Sequence, residues 1–179
     1  MKNLVVILIL VGLTACKNNR IVQYPVNYEN DREKFMEFSQ DRNKQILAED
    51  NELILAYIDS IGQKFQKTQY GFWISNTGIP SNSMAKTGDV VKYEYEVSNF
   101  QNEIVYSEEE NGIQDVMIGK SDLPRGIQTA LQLIEKGDSA TVLLPSFLAY
   151  GGYGDRNKIL GNEPLIFKLY IQDIKKQGK

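Results

Sequence analysis

The C-terminal part of the sequence, residues 70–179, combines several strand patterns with one convincing helical pattern. Residues 91–97 alternate apolar and charged side chains, which is typical of a half-buried strand. Residues 165–171 are largely apolar on both faces, which is typical of a central strand. The apolar spacing of residues 127–134 predicts a short helix that Gly137 ends. Because strands without alternating helices indicate an antiparallel sheet whose apolar face the helix covers, the pattern predicts an α+β domain that folds alone.

A helical segment is predicted ahead of this domain, over residues 31–69. The stretch contains no proline, and five of its apolar residues are spaced by seven, four, three and four positions, which places them along one helical face. These residues are Leu47, Ile54, Ile58, Ile61 and Phe65. Two interpretations of this face remain open: it packs on the chain's own domain, or residues 31–66 form a homodimer or dock a partner.

The first sixteen residues have the pattern of a bacterial lipoprotein signal. A short basic start precedes residues 4–13, an apolar stretch that is too short to span a bilayer, which takes about 20 residues. Leu13–Cys16 (LTAC) resembles the lipobox, which implies cleavage before Cys16 and lipidation of its sulfur. Residues 1–15 are therefore predicted to be a signal peptide and residues 16–30 a tether above the membrane. The alternatives are an ordinary cleaved signal that leaves a free cysteine, and an uncleaved anchor.

The composition excludes several classes of function. The chain has no histidine and one cysteine, so it cannot build a His/Cys metal site or a Ser-His or Cys-His catalytic set. Its net charge of −3 argues against a nucleic-acid partner, because binding phosphates needs a basic face. The remaining possibilities are catalysis by carboxylates or by the environment of a pocket.

The run from Asp122 to Gly154 carries a family resemblance. A turn at Pro124–Gly126 opens the short helix, Gly137–Asp138 leads into a strand, and Ala149–Gly151 (AYG) follows in the next loop. In this order and spacing, the residues resemble the FKBP-type peptidyl-prolyl isomerases, over residues 86–174. The resemblance implies a bent antiparallel β-sheet wrapped around one short helix, and an activity on proline-containing segments that uses no metal and no cofactor.

The same resemblance implies a pocket of aromatic and apolar side chains. Tyr150 matches the tyrosine whose hydroxyl binds a ligand carbonyl, and Phe167 matches the aromatic residue that contacts the proline ring. The implied catalytic residues are Tyr95, Tyr106, Ser107, Tyr150 and Phe167, and the implied substrate-binding residues are Val116, Leu123, Pro124 and Ile127. Ser107 stands where the family commonly has a pocket aspartate, and Ile127 where it commonly has a tryptophan floor.

Two functions are consistent with these residues. The first is a peptidyl-prolyl cis–trans isomerase that helps envelope proteins to fold or assemble, lipid-anchored on the periplasmic face of the outer membrane. The second is a non-catalytic module that binds proline segments, which the departures at Ser107 and Ile127 favour. The layout of the whole chain also resembles the gliding-motility-associated isomerase lipoproteins of Bacteroidetes.

Overall fold

The structure, a computed structural model, describes residues 28–76 and 83–177. The predicted signal peptide, the predicted lipidation site Cys16 and residues 17–27 of the predicted tether lie outside the described residues. The chain divides into two compact units, Met1–Phe38 and Ser39–Lys179. The described part of the first unit is the start of a helix, and the large apolar side chains there are exposed.

Helix α1 begins earlier and ends earlier than the sequence predicts. It runs over Tyr28–Ile61, so residues 28–30 of the predicted tether are helical and residues 62–69 of the predicted helical segment are not. Gly62 follows the helix with a φ of 64°, a left-handed conformation that glycine adopts without steric cost. In the part of the chain that the structure describes, no helix is both long and apolar enough to cross a membrane.

Seven strands form one sheet in which every pairing is antiparallel. They are β1 (Gln66–Lys67), β2 (Trp73–Ile74), β3 (Val90–Ser98), β4 (Ile104–Tyr106), β5 (Gln114–Met117), β6 (Ser139–Leu144) and β7 (Leu165–Lys175). The order is β1-β2-β6-β7-β3-β4, and β5 also pairs with β3. The predicted antiparallel sheet is confirmed, and so is the central position of the last strand, since β7 lies between β6 and β3.

Two short helices lie among the strands: α2 (Glu108–Asn111) and α3 (Arg125–Ala130). Helix α3 is shorter than the predicted 127–134 stretch, although Leu131 and Ile134 beyond its end are still buried. Gly126 allows α3 to approach the sheet closely: a Cβ there would lie 2.6 Å from a methyl carbon of Leu144. The helix covers the sheet's apolar face, as the α+β prediction requires.

The C-terminal half of α1 belongs to the same compact unit as the sheet. Ile54 is fully buried and packs in a cluster with Trp73, Leu143 and Ile166. Nearby, the buried carboxylate of Asp50 accepts hydrogen bonds from the backbone nitrogen and the hydroxyl of Ser146, at 2.8 and 2.7 Å. These contacts support the interpretation that the C-terminal half of the helix packs on its own domain, and the boundary between residues 69 and 70 stays a prediction.

The predicted apolar face of the helix is only partly used in this packing. Ile58 and Phe65 pack against the Ile54 cluster, whereas Leu47 and Ile61 are exposed. The only fully or nearly fully buried side chains in the described part of α1 are therefore Asp50 and Ile54. The spacing of apolar residues alone could not distinguish the turns around these two residues from their neighbours.

Candidate functional site

Three aromatic rings form a stack on the apolar face of β3 and β7. The ring of Tyr95 lies 5.5 Å from that of Tyr93 and 6.4 Å from that of Phe167, with interplanar angles of 26° and 25°. Phe167 pairs with Val97 on one side and Val142 on the other, so its position is fixed in the middle of the sheet. Large, rigid, offset-stacked rings of this kind make a firm apolar wall.

Seven of the nine predicted site residues pack in or against the main core cluster. Val116, Ile127 and Phe167 are buried in it, and Tyr95, Tyr106, Leu123 and Tyr150 pack against it half-buried. The sequence resemblance therefore identifies residues that the fold brings together from four strands, one helix and two loops. Ser107 and Pro124 are not in this cluster.

The structure gives Ser107 and Pro124 capping roles. Ser107 is the N-cap of α2, and its hydroxyl accepts a hydrogen bond from the backbone nitrogen of Glu110 at 3.2 Å. At the other end of α2, the Asn111 amide donates to the carbonyl of Tyr95 at 3.0 Å, which holds the helix on β3. Pro124 is the N-cap of α3, and its carbonyl accepts from Gln128 at 3.1 Å. Ser107 therefore has a structural role as a helix cap, and its catalytic role stays a prediction.

The segment that carries Leu123 is held by one side chain. The Gln128 amide nitrogen donates to the carbonyls of Leu123 and Ser121, at 2.8 and 3.2 Å, and its oxygen accepts from the backbone nitrogen of Gly119 at 3.0 Å. Both the nitrogen and the oxygen of this amide are used to hold the loop between β5 and α3. Leu123 and Ile127 are therefore presented to the cluster from a rigid support.

Tyr150 packs against the cluster with its phenol ring. It follows a short 3₁₀ turn, Ser146–Leu148, and opens a second one, Gly151–Tyr153. Burial, followed by the nearby groups Tyr95, Asp155 and Tyr106, raises the pKa of Tyr150 to about 12, so the phenol keeps its proton at neutral pH. Its hydroxyl donates to no residue within 28–76 or 83–177. The hydroxyl can therefore donate to a ligand.

Tyr93 is a site residue that the sequence analysis did not assign. Only 2% of the residue is exposed, and it contacts Tyr95 directly. Burial first, and then the neighbouring Tyr95 and Tyr150, raises the pKa of its phenol. The strand alternation placed Tyr93 and Tyr95 on one face of β3, and this signal could have identified both as parts of one wall.

A carboxylate does reach the site, but from a loop that the sequence analysis left unassigned. The Tyr106 hydroxyl donates to Asp155 Oδ2 at 2.5 Å, and it accepts a hydrogen bond from the Asn157 amide at 3.0 Å. Burial acts to raise the pKa of Asp155, but hydrogen bonds from Tyr106 and from backbone nitrogens outweigh it and lower the pKa below its usual value. Asp155 is therefore ionised at neutral pH.

A separate cleft of about 490 Å³ also includes Tyr95 in its lining. Several of its other lining side chains are charged, namely Glu94, Glu96, Glu108 and Lys168. Apolar surroundings that exclude water destabilise the planar amide relative to its twisted form. Charged side chains keep water in the cleft, so they do not have this effect. The aromatic cluster, rather than this cleft, is the candidate site for a proline segment.

Comparison with known proteins identifies the family and the fold. Residues 81–172 match the family model described as FKBP-type peptidyl-prolyl cis-trans isomerase. The structure is similar to that of a peptidyl-prolyl cis-trans isomerase from Pseudomonas syringae pv. tomato, with a TM-score of 0.59 and 17% identity, over 74% of this chain and 96% of that one. It is also similar to FkpA from Escherichia coli, with a TM-score of 0.59 and 15% identity, over 98% of this chain and 82% of that one. At these identities, the two structures show the fold alone. Comparison with curated proteins gives no match.

Proposed function

Because the chain belongs to the FKBP-type peptidyl-prolyl cis–trans isomerase family, we propose that it speeds X–Pro exchange in extracytoplasmic proteins, as a folding or assembly helper. The observation that carries the proposal is the aromatic cluster beside the protonated Tyr150 hydroxyl, which donates to no residue that the structure describes. Rotation about an X–Pro bond faces a barrier of about 18–20 kcal/mol and takes tens of seconds or longer without help. Because no covalent bond is broken in this step, a catalyst needs an apolar pocket and hydrogen bonds to the substrate, and it needs no nucleophile.

The mechanism follows from the loss of amide resonance in the twisted state. The twisted amide has less charge separation than the planar one, so an apolar enclosure disfavours the planar ground state more. Phe167 and Tyr95 supply rigid walls, and Ile127 supplies an apolar floor from α3. Tyr150 donates to a substrate carbonyl and fixes the bond in the enclosure while the prolyl side rotates.

Replacing Tyr150 by phenylalanine tests this role. Tyr150→Phe removes one neutral hydrogen bond to the substrate, so we expect binding to weaken by about 0.5–1.5 kcal/mol, or roughly two- to twelvefold. The measurement is the rate of a refolding reaction limited by proline isomerisation, with peptide affinity determined in parallel. Tyr170→Phe is the matched control, because Tyr170 is an exposed tyrosine of β7 outside the cluster. Equal rates for wild type and Tyr150→Phe would contradict the assigned role.

The second candidate function is a non-catalytic module that binds proline segments, for example in the assembly of a gliding-motility machine. The capping role of Ser107 favours it, because no carboxylate stands at the position where the family commonly has one. The same assay distinguishes the two functions. A wild-type protein that binds proline peptides without raising the exchange rate would support the module and rule out the enzyme.

The proposed place of action is the cell envelope, with Cys16 carrying a lipid that holds the protein on the periplasmic face of the outer membrane. The support is the Leu13–Cys16 tetrapeptide at the end of the apolar stretch. We expect wild type to incorporate labelled palmitate and to fractionate with membranes, and Cys16→Ser to remain unprocessed or unlabelled. Wild-type protein that takes up no label in a bacterial host would overturn the anchor.

We also propose that residues 31–66 form a homodimer. Phe35, Met36 and Phe38 are each more than half exposed on α1. Clustered apolar side chains on a surface are typical of an interaction site. We expect the chain from Cys16 onward to sediment as a dimer, and Phe35→Lys with Phe38→Lys to sediment as a monomer. A monomeric wild type would rule out the dimer and leave docking of another protein.

A further inference from the structure

The Tyr106–Asp155 pair has no hydrogen left to donate. A phenol has one proton, and Tyr106 donates it to Asp155 Oδ2 at 2.5 Å. The Asn157 amide donates to the same phenol oxygen at 3.0 Å. An ionised carboxylate can only accept hydrogen bonds. We call Tyr106 and Asp155 the acceptor rim, because toward a ligand both can only accept.

The acceptor rim is held in place from several directions. Asp155 Oδ1 accepts from the backbone nitrogens of Asn157 and Ile159, at 2.8 and 2.9 Å, and Ile159 is buried in the core. Lys158 Nζ lies 4.7 Å from the centre of the Tyr106 ring and forms an ion pair with Glu110 at 2.6 Å. Hydrogen bonds therefore hold the hydroxyl of Tyr106, and the Lys158 ammonium group holds the face of its ring. A group fixed in this way needs little reorganisation to receive a ligand.

The acceptor rim lies close to a group of opposite polarity. Tyr106 and Tyr150 pack against the same core cluster, and Asp155, which Tyr106 bonds, follows Tyr150 by five residues in the same loop. Tyr150 has a proton without a partner among the described residues. The site thus offers one donor and one fixed pair of acceptors beside an apolar enclosure.

A peptide around a proline presents a matching set of groups. Proline has no N–H, so its own nitrogen cannot donate, while the preceding residue offers a carbonyl and the following residue offers an N–H. We propose that the acceptor rim binds the backbone N–H of the residue after the proline while Tyr150 donates to a carbonyl. This rests on the proposed function of the aromatic cluster. Segments in which an N–H follows the proline are preferred, and Pro-Pro segments or segments with an N-methylated or ester link are poor ligands.

The test compares two peptides that differ only in this group. One has an ordinary amide after the proline, and the other has an ester there, which replaces the N–H by oxygen. Affinity and cis–trans exchange are both measured by NMR, with the full chain from Cys16 onward. Because hydrogen bonds to a charged acceptor are stronger than neutral ones, we expect wild type to prefer the amide peptide roughly tenfold or more.

Asp155→Asn changes the polarity of the rim while it keeps an oxygen for the two backbone nitrogens. Its amide nitrogen would donate to Tyr106, which frees the phenol proton and turns an acceptor into a donor. We expect the preference for the amide peptide to fall to about twofold or less. Asp115→Asn is the matched control, since it removes one negative charge at an exposed position of β5 and should keep the preference.

A wild type that binds both peptides equally would overturn the proposal, whether or not Asp155→Asn folds. So would an Asp155→Asn protein that is folded by its NMR spectrum and keeps the full preference. Failure of the proposed function gives a different result: wild type would bind with the amide preference and accelerate neither peptide's exchange. The affinity ratio therefore tests the rim, and the exchange rate tests the catalysis.

Discussion

A chain shortened to begin at Gln69 is expected to lose most of its stability, although it retains six of the seven strands and α3. It lacks Ile54, which is fully buried against Trp73, Leu143 and Ile166. Removing the side chain of a buried isoleucine alone costs about 2–5 kcal/mol. The surfaces of the sheet that Ile54 covers would be exposed to water.

The shortened chain also loses a polar contact. Without Asp50, the backbone nitrogen and hydroxyl of Ser146 exchange two hydrogen bonds with a carboxylate for bonds with water, a net loss of about 1–3 kcal/mol. The two losses together reach about 3–8 kcal/mol, against a typical total stability of roughly 5–15 kcal/mol. We therefore expect residues 69–179 to be unfolded or only marginally folded, whereas residues 39–179 keep the whole compact unit.

Urea unfolding of both shortened chains, followed by tryptophan fluorescence, measures this difference. Trp73 is the only tryptophan and lies in the Ile54 cluster, so its signal reports the contact directly. In the full chain, Ile54→Ala should lower the free energy of unfolding by about 2–5 kcal/mol. Leu55→Ala is the control, because its neighbouring side chain is 54% exposed. Equal midpoints for the chains that begin at residues 39 and 69 would contradict the prediction.

Phe167→Ala is expected to lower the free energy of unfolding by about 3–5 kcal/mol and to abolish catalysis. The ring is buried between β3 and β6 and stacks on Tyr95, so its removal leaves a cavity in the middle of the sheet. The same cavity removes one wall of the enclosure. Because the loss of stability could itself lower activity, both must be measured on one sample.

The measurement combines a melting curve with kcat/KM at a temperature where Phe167→Ala is still folded. Phe147→Ala is the matched control, since that ring is 55% exposed and should change neither quantity by much. If folded Phe167→Ala retained wild-type activity, Phe167 would be a packing residue alone. The aromatic stack would then not be the catalytic wall.

The sequence predicted the sheet well because strand alternation is a local signal. The alternation in residues 91–97 and the two apolar faces of residues 165–171 correspond to β3 and the central β7. The two interpretations of the helix could not be separated in this way. A contact that holds its C-terminal half on the domain joins Asp50 to Ser146, which are 96 residues apart along the chain. No local pattern encodes such a partner.

The site was predicted in part for the same reason. Resemblance placed Tyr150 and Phe167, which the fold brings to one cluster. It could not reveal Asp155, because the partner of that carboxylate, Tyr106, lies 49 residues away. Ser107 is different, since a local signal was present: Ser107–Glu110 has the Ser-x-x-Glu spacing that is typical of a helix N-cap. That signal predicts the capping role that the structure shows.

The central position of β7 has a consequence for the order of folding. β7 is synthesised after β3 and β6, the two strands that it joins, so a growing chain that lacks it has two parts of a sheet with no strand between them. The cluster around Ile54 likewise cannot form completely until Ile166, a residue of β7, has been synthesised. Pairings across so many residues are slow, because closing the intervening loop costs entropy before any contact is gained. The nascent protein therefore cannot complete its sheet until β7 has been made.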